Sequence, residues 1–351
     1  MDSGAGWRTD HSYSIRARFA RRALAGAKRY GMFMAPSPTL DLDREFRSQR
    51  RTLWALAYRV TGSAAEADDL VQDAFLRVLE SPPAEATTTL RPWLLRATAE
   101  LAVEDLRRRR SGSYGGPWLP APIDTTLGVG VNPGVDATDA TLVEEGRYPL
   151  AESTSFPFLI ALEALEPEPR AALVLHDAVG LPTGEMARVF GAEERAIEKR
   201  VAAARDALAS YEATRAAASP ERTRAALESF RAAVDADDPT AAEKLLAPGA
   251  RAVTDSGGSY EALREPVRGA AAVARAHVDE ARRRARGEPA YEVREINGLP
   301  ALLIQLERPQ ENQAPRAVLR CDLDAGGRID ALHTILAPAK LAGLRFVRDD
   351  D

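Results

Sequence analysis

The sequence predicts a multidomain protein: two all-α helical domains, the second a helix-turn-helix, followed by an α+β cone with a curled antiparallel sheet. The chain of 351 residues is longer than one typical core requires. Apolar residues recur at helical spacing between residues 41 and 212. Strand-like runs separated by hairpin turns fill the last third of the chain.

Composition excludes several classes of protein. The single cysteine, Cys321, excludes an internal disulfide and a metal site built from cysteines, which fits a reducing cytoplasm. No stretch approaches the roughly eighteen apolar residues of a membrane span, so we expect no membrane contact. No cluster has metal-ligand spacing and no glycine-rich phosphate loop is present, so we predict neither a metal site nor a cofactor. The net charge of −5 indicates that bulk positive charge is not the main means of binding.

The first forty residues, 1–40, contain the arginine-rich run SIRARFARRALAGAKRY and few acids. Such a segment is typical of a disordered tail, a basic arm or a transit peptide. We favour the disordered tail and place the start of folded structure at Asp41.

Three helices are predicted in a first domain, 41–111. In AAEADDLVQDAFLRVLE, apolar residues recur at i, i+3, i+4, i+7, i+8 and i+11, the pattern of a regular amphipathic helix. The next helix begins near Trp93 and ends in Arg107–Arg110, where a helix C-terminus favours positive charge. The pattern alone does not distinguish a functional acidic face on AAEADDLVQDAFLRVLE from an ordinary solvated surface. It also does not distinguish functional arginines at 107–110 from an ordinary helix end.

A linker with acids, glycines and prolines, 112–156, separates this domain from a second helical domain, 157–212. LPTGEMARVFG predicts a short helix that ends at Gly191, where a left-handed turn residue is needed. AEERAIEKRVAAARDAL predicts a second helix with Ile197 on its apolar face. Helix, glycine turn and helix form the helix-turn-helix pattern, although other helical hairpins look similar.

Together these blocks resemble sigma-70-type transcription initiation factors, especially the extracytoplasmic-function branch, over roughly residues 41–212. DDLVQDAFLRVL resembles the helix that grips the RNA polymerase clamp, and RPWLLRATAELAVEDLRRR resembles the element that melts and reads the −10 promoter region. ALEALEPEPRAALVLHDAVGLPTGEMARVFG resembles the domain that reads the −35 element. The resemblance implies that core RNA polymerase and promoter DNA are the partners.

The same resemblance implies roles for particular side chains. The clamp contact would be formed or supported by Asp68, Asp69, Leu70, Gln72, Asp73 and Phe75. The −10 element would be contacted by Arg96, Glu100, Arg107 and Arg108. The −35 element would be contacted by Glu194, Arg195, Glu198, Lys199 and Arg200.

Two of these residues depart from the family pattern. Related factors often carry Asn or Arg at the position of Glu100, and Arg is frequent at that of Glu198. Phosphates repel carboxylates, which weakens binding to DNA. A carboxylate can still accept a hydrogen bond from cytosine N4. The sequence therefore leaves open an altered specificity or a degenerate, weakly binding regulator.

Residues 220–341 predict the α+β cone. Two helices, a strand at ARAVTD and a helix over PVRGAAAVARAHVDEARRR precede four strand-like runs, YEVREI, PALLIQLE, RAVLRCDLD and RIDALHTIL. NG at 297–298 and DAGG at 324–327 mark hairpin turns. This order resembles the SnoaL-like fold.

The linker stretch YGGPWLPAP, 114–122, contains apolar side chains that require a docking surface, although its prolines and glycines exclude a helix. Sigma factors with a fused SnoaL-like C-terminal domain carry a similar stretch, an Asp-Gly-rich motif similar to TDSGGS and a terminal motif similar to APAKL. This resemblance implies that the linker docks on the C-terminal domain, which replaces a separate anti-sigma factor. The regulatory residues would be Tyr114, Trp118, Leu119, Pro120, Asp255, Gly257, Gly258, Lys340 and Leu341.

A competing hypothesis makes the C-terminal domain an isomerase or cyclase, which needs a general base in the cone. The candidate bases are Asp255, His277, Asp322 and His333. They form no recognisable catalytic cluster, so we predict no catalytic residue, and we leave open a small ligand in the cone. The prediction is therefore a cytoplasmic, promoter-selective subunit of RNA polymerase with an attached regulatory domain, and not an enzyme.

Overall fold

A computed structural model describes the chain over residues 42–80, 90–112, 114, 116–126, 147, 150–214, 219–260, 262 and 265–346. The basic segment 1–40 and the linker residues 127–146 lie outside the described residues, so the expectation of a disordered tail stays a prediction.

The first helical domain consists of α1 (Leu42–Thr61), α2 (Ala64–Glu80) and α3 (Arg91–Ser111). The predicted apolar stripe of α2 is the buried one, with Ala67, Leu70, Val71, Ala74, Phe75 and Val78 inward. The chain turns between α1 and α2 at Gly62, whose φ of 71° favours glycine. Ser63 then caps α2, because its Oγ accepts a hydrogen bond from the Glu66 amide at 3.4 Å.

The second helical domain consists of α4 (Leu150–Ser153), α5 (Phe156–Leu162), α6 (Pro167–Leu173), a π-helical turn (Val174–Ala178), α7 (Thr183–Phe190), α8 (Glu194–Ala207) and α9 (Ala209–Thr214). Gly191 ends α7 in the left-handed conformation, as predicted. Ile197, Val201 and Ala204 of α8 are buried, which confirms the helix-turn-helix. Buried residues of both helical domains belong to one continuous hydrophobic core, so the two domains pack directly against each other.

The C-terminal domain contains α10 (Pro220–Asp235), α11 (Pro239–Lys244), β1 (Leu246–Asp255), β2 (Val267–Arg268), α12 (Ala270–Ala285), β3 (Pro289–Ile296), β4 (Leu299–Leu306), β5 (Arg316–Leu323), β6 (Ile329–Ile335) and α13 (Pro338–Leu341). The helix predicted from Pro266 starts later, at Ala270. Val267 and Arg268 pair with β1 instead, and Gly269, with a φ of 91°, turns the chain into α12.

The strand order is β2-β1-β6-β5-β4-β3. The predicted antiparallel pairing holds from β3 to β6. The short strand β2, which the sequence did not predict, also pairs antiparallel with β1. β1 and β6, however, run parallel, with Thr254 opposite Thr334, so the sheet is mixed. This pairing places the end of β1 beside the end of β6, and therefore brings the Asp-Gly motif next to the terminal Lys-Leu motif.

The two faces of the sheet bury different parts of the chain. The inner face packs against α10 and α12 through residues such as Leu227, Phe230 and Val273. The outer face forms a second cluster, which contains Leu119 from the linker and Phe156 from α5. The outer face is therefore the surface on which the linker and the second helical domain dock.

One buried histidine lies on each side of the sheet. His277 of α12 hydrogen-bonds through Nδ1 to the Val273 carbonyl at 2.9 Å, and burial lowers its pKa to about 4. His333 of β6 lies near Phe156. Burial lowers the pKa of His333 to about 4 as well, although the neighbouring Asp322 carboxylate opposes this shift. Both imidazoles are therefore neutral in the folded protein at neutral pH.

These histidines predict an acid-sensitive stability. Each one binds its proton more weakly when folded, so their contribution to the free energy of unfolding is intact above pH 6.5 and is lost as the pH falls from 6.5 to 4. The loss approaches about 1.4 kcal/mol per histidine and pH unit. Urea unfolding over a pH series measures it, and His277→Gln with His333→Gln should flatten the dependence. An equally steep fall in the double variant would contradict this assignment.

Candidate functional site

The acidic face of α2 is accessible in part. Asp69 is exposed, and Gln72 and Asp73 are half-buried. Asp68 forms an ion pair with Arg50 of α1 at 3.3 Å. Leu70 and Phe75 lie in the core, 8% and 2% exposed, so they can support this face but cannot themselves reach a partner.

The exposed surface of α3 carries Arg96 and Glu100. Arg96 Nε donates to Glu100 Oε1 at 2.8 Å, and Arg77 of α2 lies 3.6 Å from the other oxygen of the same carboxylate. Two guanidinium groups thus offset the charge that made Glu100 unfavourable beside phosphates. Arg77 was missed in the sequence analysis, although it lies on the polar face of α2.

The C-terminal end of α3 faces the second helical domain. Arg108 pairs with Asp105 of its own helix. The other arginines pair with carboxylates of the segment that leads from α5 into α6: Arg107 with Glu168, Arg109 with Glu163 and Arg110 with Glu166. In this arrangement, Arg107 and Arg108, two of the residues expected at the −10 element, are engaged within the protein.

Helix α8 presents its polar residues outward. Exposed side chains at its start are Arg195, Glu198, Lys199 and Arg200. Glu194 is exposed as well, and its Oε1 accepts a hydrogen bond from Thr183 Oγ at 2.9 Å, which links the start of α8 to the start of α7. Arg205 anchors the other end of α8, since its Nε donates to the buried Asp177 carboxylate at 2.7 Å.

A buried carboxylate joins the linker to the C-terminal domain. Asp255, at the end of β1, has no exposed surface. Its Oδ1 accepts a hydrogen bond from Tyr114 Oη at 2.7 Å, and its Oδ2 accepts one from the Leu119 amide at 2.7 Å. Lys340 Nζ lies 2.6 Å from the same Oδ2. Burial lowers the pKa of Lys340 to about 8, and the Asp255 carboxylate opposes that shift.

Trp118 connects this centre to the first helical domain. The guanidinium carbon of Arg109 lies 3.8 Å from the centre of the Trp118 ring, and Lys340 Nζ lies 4.1 Å from it. Both distances are within the range of cation–π attraction. The ring edge rests against Gly62, where a Cβ would clash with Cη2. One tryptophan therefore contacts α3, the α1–α2 turn and α13.

The remaining motif residues complete the contact. Gly257 and Gly258 form the turn after β1 with φ values of 58° and 78°. A Cβ on Gly257 would lie 3.2 Å from the Ala337 Cβ, so the glycine permits the close approach of the segment between β6 and α13. Pro120 is buried. Leu341 is buried in the same outer-face cluster as Leu119.

Asn297 makes a second contact that the sequence analysis missed. Its buried side chain accepts a hydrogen bond from the Ile123 amide at 3.0 Å. The Nδ2 group donates to Tyr58 Oη and to the Thr154 carbonyl, both at 2.7 Å. Asn297 thus ties together α1, the linker and the segment before α5. The sequence indicates only its role in the Asn-Gly turn, where its φ is 52°.

The cone holds a mainly apolar cavity that is lined by Phe230, Val234, His277, Tyr291, Leu302 and Leu319, with Arg231, Asp235 and Arg284 beside them. Of the four candidate bases, only His277 lines it. Asp255 is committed to the linker, and Asp322 forms an ion pair with Arg320 at 2.7 Å. A small ligand in the cone stays a prediction.

Within the part of the chain that the structure covers, neither a candidate metal site nor a candidate membrane-spanning helix is present. The described residues contain no group of three His, Cys, Asp or Glu side chains that could hold a metal ion. Among the helices with described placement, none is both long and apolar enough to cross a membrane.

Comparison with known proteins agrees with this architecture. The family model for sigma-70 region 2 matches residues 46–112, and that for sigma-70 region 4 matches residues 158–208. The chain is 33% identical to the ECF RNA polymerase sigma factor SigJ of Mycobacterium tuberculosis over 233 residues, which are 66% of this chain and 70% of that protein. It is 27% identical to the probable ECF sigma factor SigI of the same species, over 86% of this chain and 94% of that protein.

The structural comparison extends through the C-terminal domain. The crystal structure of Mycobacterium tuberculosis SigJ matches with a TM-score of 0.64 and 29% identity, and covers 86% of this chain and 98% of that one. Both sigma-70 regions therefore occur in order, with a C-terminal domain after them as in SigJ. The chain belongs to the extracytoplasmic-function family of RNA polymerase sigma factors.

Proposed function

We propose that this sigma factor directs core RNA polymerase to specific promoters in the cytoplasm, and that its C-terminal domain regulates that activity through the linker. The observation that carries the regulatory part is the position of Trp118, which contacts Arg109 of the first helical domain and Lys340 of the C-terminal domain. A change in docking at one end of this contact must alter the other.

For the polymerase contact, the accessible part of α2 is the candidate surface. Asp69, Gln72 and Asp73 form its reachable polar group, and the buried Leu70 and Phe75 hold the helix in place. Carboxylates on a rigid helix suit a basic partner surface, since complementary charge speeds and orients association.

For promoter recognition, Arg96 with Glu100 is the candidate −10 surface, and the start of α8 is the candidate −35 surface. The pairing of Glu100 with Arg77 and Arg96 favours a working, altered surface over a degenerate one, because the carboxylate is already offset by two cations. The exposed Arg195, Lys199 and Arg200 supply phosphate-binding charge on α8.

For regulation, the linker provides a two-state element. Burying a side chain such as Leu119 contributes on the order of 1.5–3 kcal/mol, and Trp118 offers a larger apolar surface. A difference of about 1.4 kcal/mol between docked and undocked states changes their ratio tenfold. The contacts of the linker are therefore sufficient to bias how the two helical domains are held.

The polymerase assignment predicts the outcome of removing the two accessible carboxylates. Asp69→Ala with Asp73→Ala should weaken binding to core RNA polymerase by roughly tenfold, a loss of about 1.4 kcal/mol. Co-purification and titration with purified core enzyme measure it. Glu243→Ala with Glu311→Ala removes equal charge from exposed positions of the C-terminal domain and should bind as wild type does. Equal core binding by both double variants would refute the assignment.

The linker proposal predicts that Gly62→Ala releases Trp118. The new methyl group occupies the space of the ring, and the φ of 71° adds backbone strain of about 1–2 kcal/mol. Hydrogen exchange of residues 116–126 should quicken by roughly tenfold. Gly269→Ala is the matched control, because its φ of 91° brings comparable backbone strain while a Cβ there meets open space. Unchanged protection in Gly62→Ala would mean that the tryptophan does not hold the linker.

A further inference from the structure

The arginine run at the end of α3 meets an acidic segment, residues 163–168, which leads from α5 into the first turn of α6. Arg109 Nη2 donates to both oxygens of the Glu163 carboxylate, at 3.0 and 3.1 Å. Arg110 Nη1 lies 2.8 Å from Glu166 Oε2, and its other nitrogen donates to the carbonyl of Glu163 at 3.3 Å. Arg107 pairs with Glu168. Three arginines at the end of α3 are therefore each paired with one glutamate of this segment.

A nucleic-acid backbone likewise presents a row of negatively charged oxygens to basic side chains. Phosphate oxygens and carboxylates both accept strong, charge-assisted hydrogen bonds from guanidinium groups. We infer that Glu163, Glu166 and Glu168 act as an internal phosphate mimic, which covers a DNA-backbone-binding surface made of Arg107, Arg109 and Arg110. This inference rests on the proposed promoter-binding role of α3, and it adds Arg109 and Arg110 to that surface.

The exposure of these pairs favours a cover that DNA can displace. The side chains of Arg107 and Glu168 are 60% and 41% exposed, and Glu166 is 77% exposed. Ion pairs between exposed side chains contribute little to stability. Only Glu163 is held more firmly, because it also pairs with the fully buried Arg170. A DNA backbone can therefore compete directly for Arg107 and Arg110, whereas Arg109, only 14% exposed, becomes reachable when Glu163 and Trp118 move away.

The phosphate mimic, Glu163 with Glu166 and Glu168, is coupled to the linker through Arg109. Besides its contact with Glu163, this guanidinium donates to the Thr61 carbonyl at 2.7 Å and lies over the Trp118 ring. A docked Trp118 holds Arg109 in the orientation that meets Glu163. Docking of the C-terminal domain therefore favours the covered state, and its release favours the state in which the arginines can bind DNA.

The test compares the full chain with two charge-matched variants. Glu163→Gln, Glu166→Gln and Glu168→Gln remove the mimic, whereas Glu243→Gln, Glu265→Gln and Glu311→Gln remove equal charge from exposed positions elsewhere. The probe is a fluorescent random-sequence DNA duplex, followed by anisotropy over a salt series. The first variant should bind roughly tenfold more tightly than the control, within the range usual for coupled sites. Three added phosphate contacts should steepen the salt slope by about 2.7.

Two further variants serve as controls for this result. Adding Arg107→Gln, Arg109→Gln and Arg110→Gln to the first variant should abolish the gain. Glu166→Gln with Glu168→Gln keeps the contact of Glu163 with Arg170, and should give part of the gain in a chain whose thermal unfolding matches wild type. Equal DNA binding by the mimic-deficient and control variants overturns the inference. Core-polymerase binding, measured in parallel, shows whether the proposed function has failed as well.

Discussion

The assembly depends on one buried charge, the carboxylate of Asp255. A fully buried carboxylate must be paired, and removing a partner from such a group typically costs 3–5 kcal/mol. Its partners come from the linker, through Tyr114 and the Leu119 amide, and from the C-terminal domain, through the Gly257 amide and Lys340 of α13. The C-terminal domain cannot satisfy this charge from its own residues to the same extent, so it stabilises the docked linker.

This dependence extends to both helical domains. Lys340 and Arg109 share the Trp118 ring, and Arg109 contacts Glu163 of the second helical domain. Asn297 adds a separate tie to Tyr58 and the linker. The linker thus contacts all three domains in one arrangement, although its residues 127–146 lie outside the described structure. Regulation by an attached domain requires such a shared contact, since two sites are coupled only when each biases the same element.

Much of this was accessible from the sequence, for a physical reason. Helical periodicity depends on near neighbours, and it identified the buried stripe of α2 and the glycine turn before α8. The docking of Trp118 and Leu119 followed from their apolar character together with the family resemblance. The roles of Asn297 and of the Glu163 segment did not follow, because each depends on partners over 50 residues away in the chain. Leu70 and Phe75 lie on this buried stripe, so of the residues in the motif these two support the proposed polymerase-contact surface and do not form it.

A double-mutant cycle on transcription tests the central claim most directly. Trp118→Ala and Asp255→Asn each release the linker, so promoter-specific transcript from core polymerase should change by a similar factor in either variant and in both combined. The coupling energy should fall within the 0.5–3 kcal/mol seen for groups in one network. Trp118→Ala with Asp330→Asn, an exposed position on β6, should give additive effects. Additive effects in the first pair as well would mean that linker and C-terminal domain act independently, which contradicts the account.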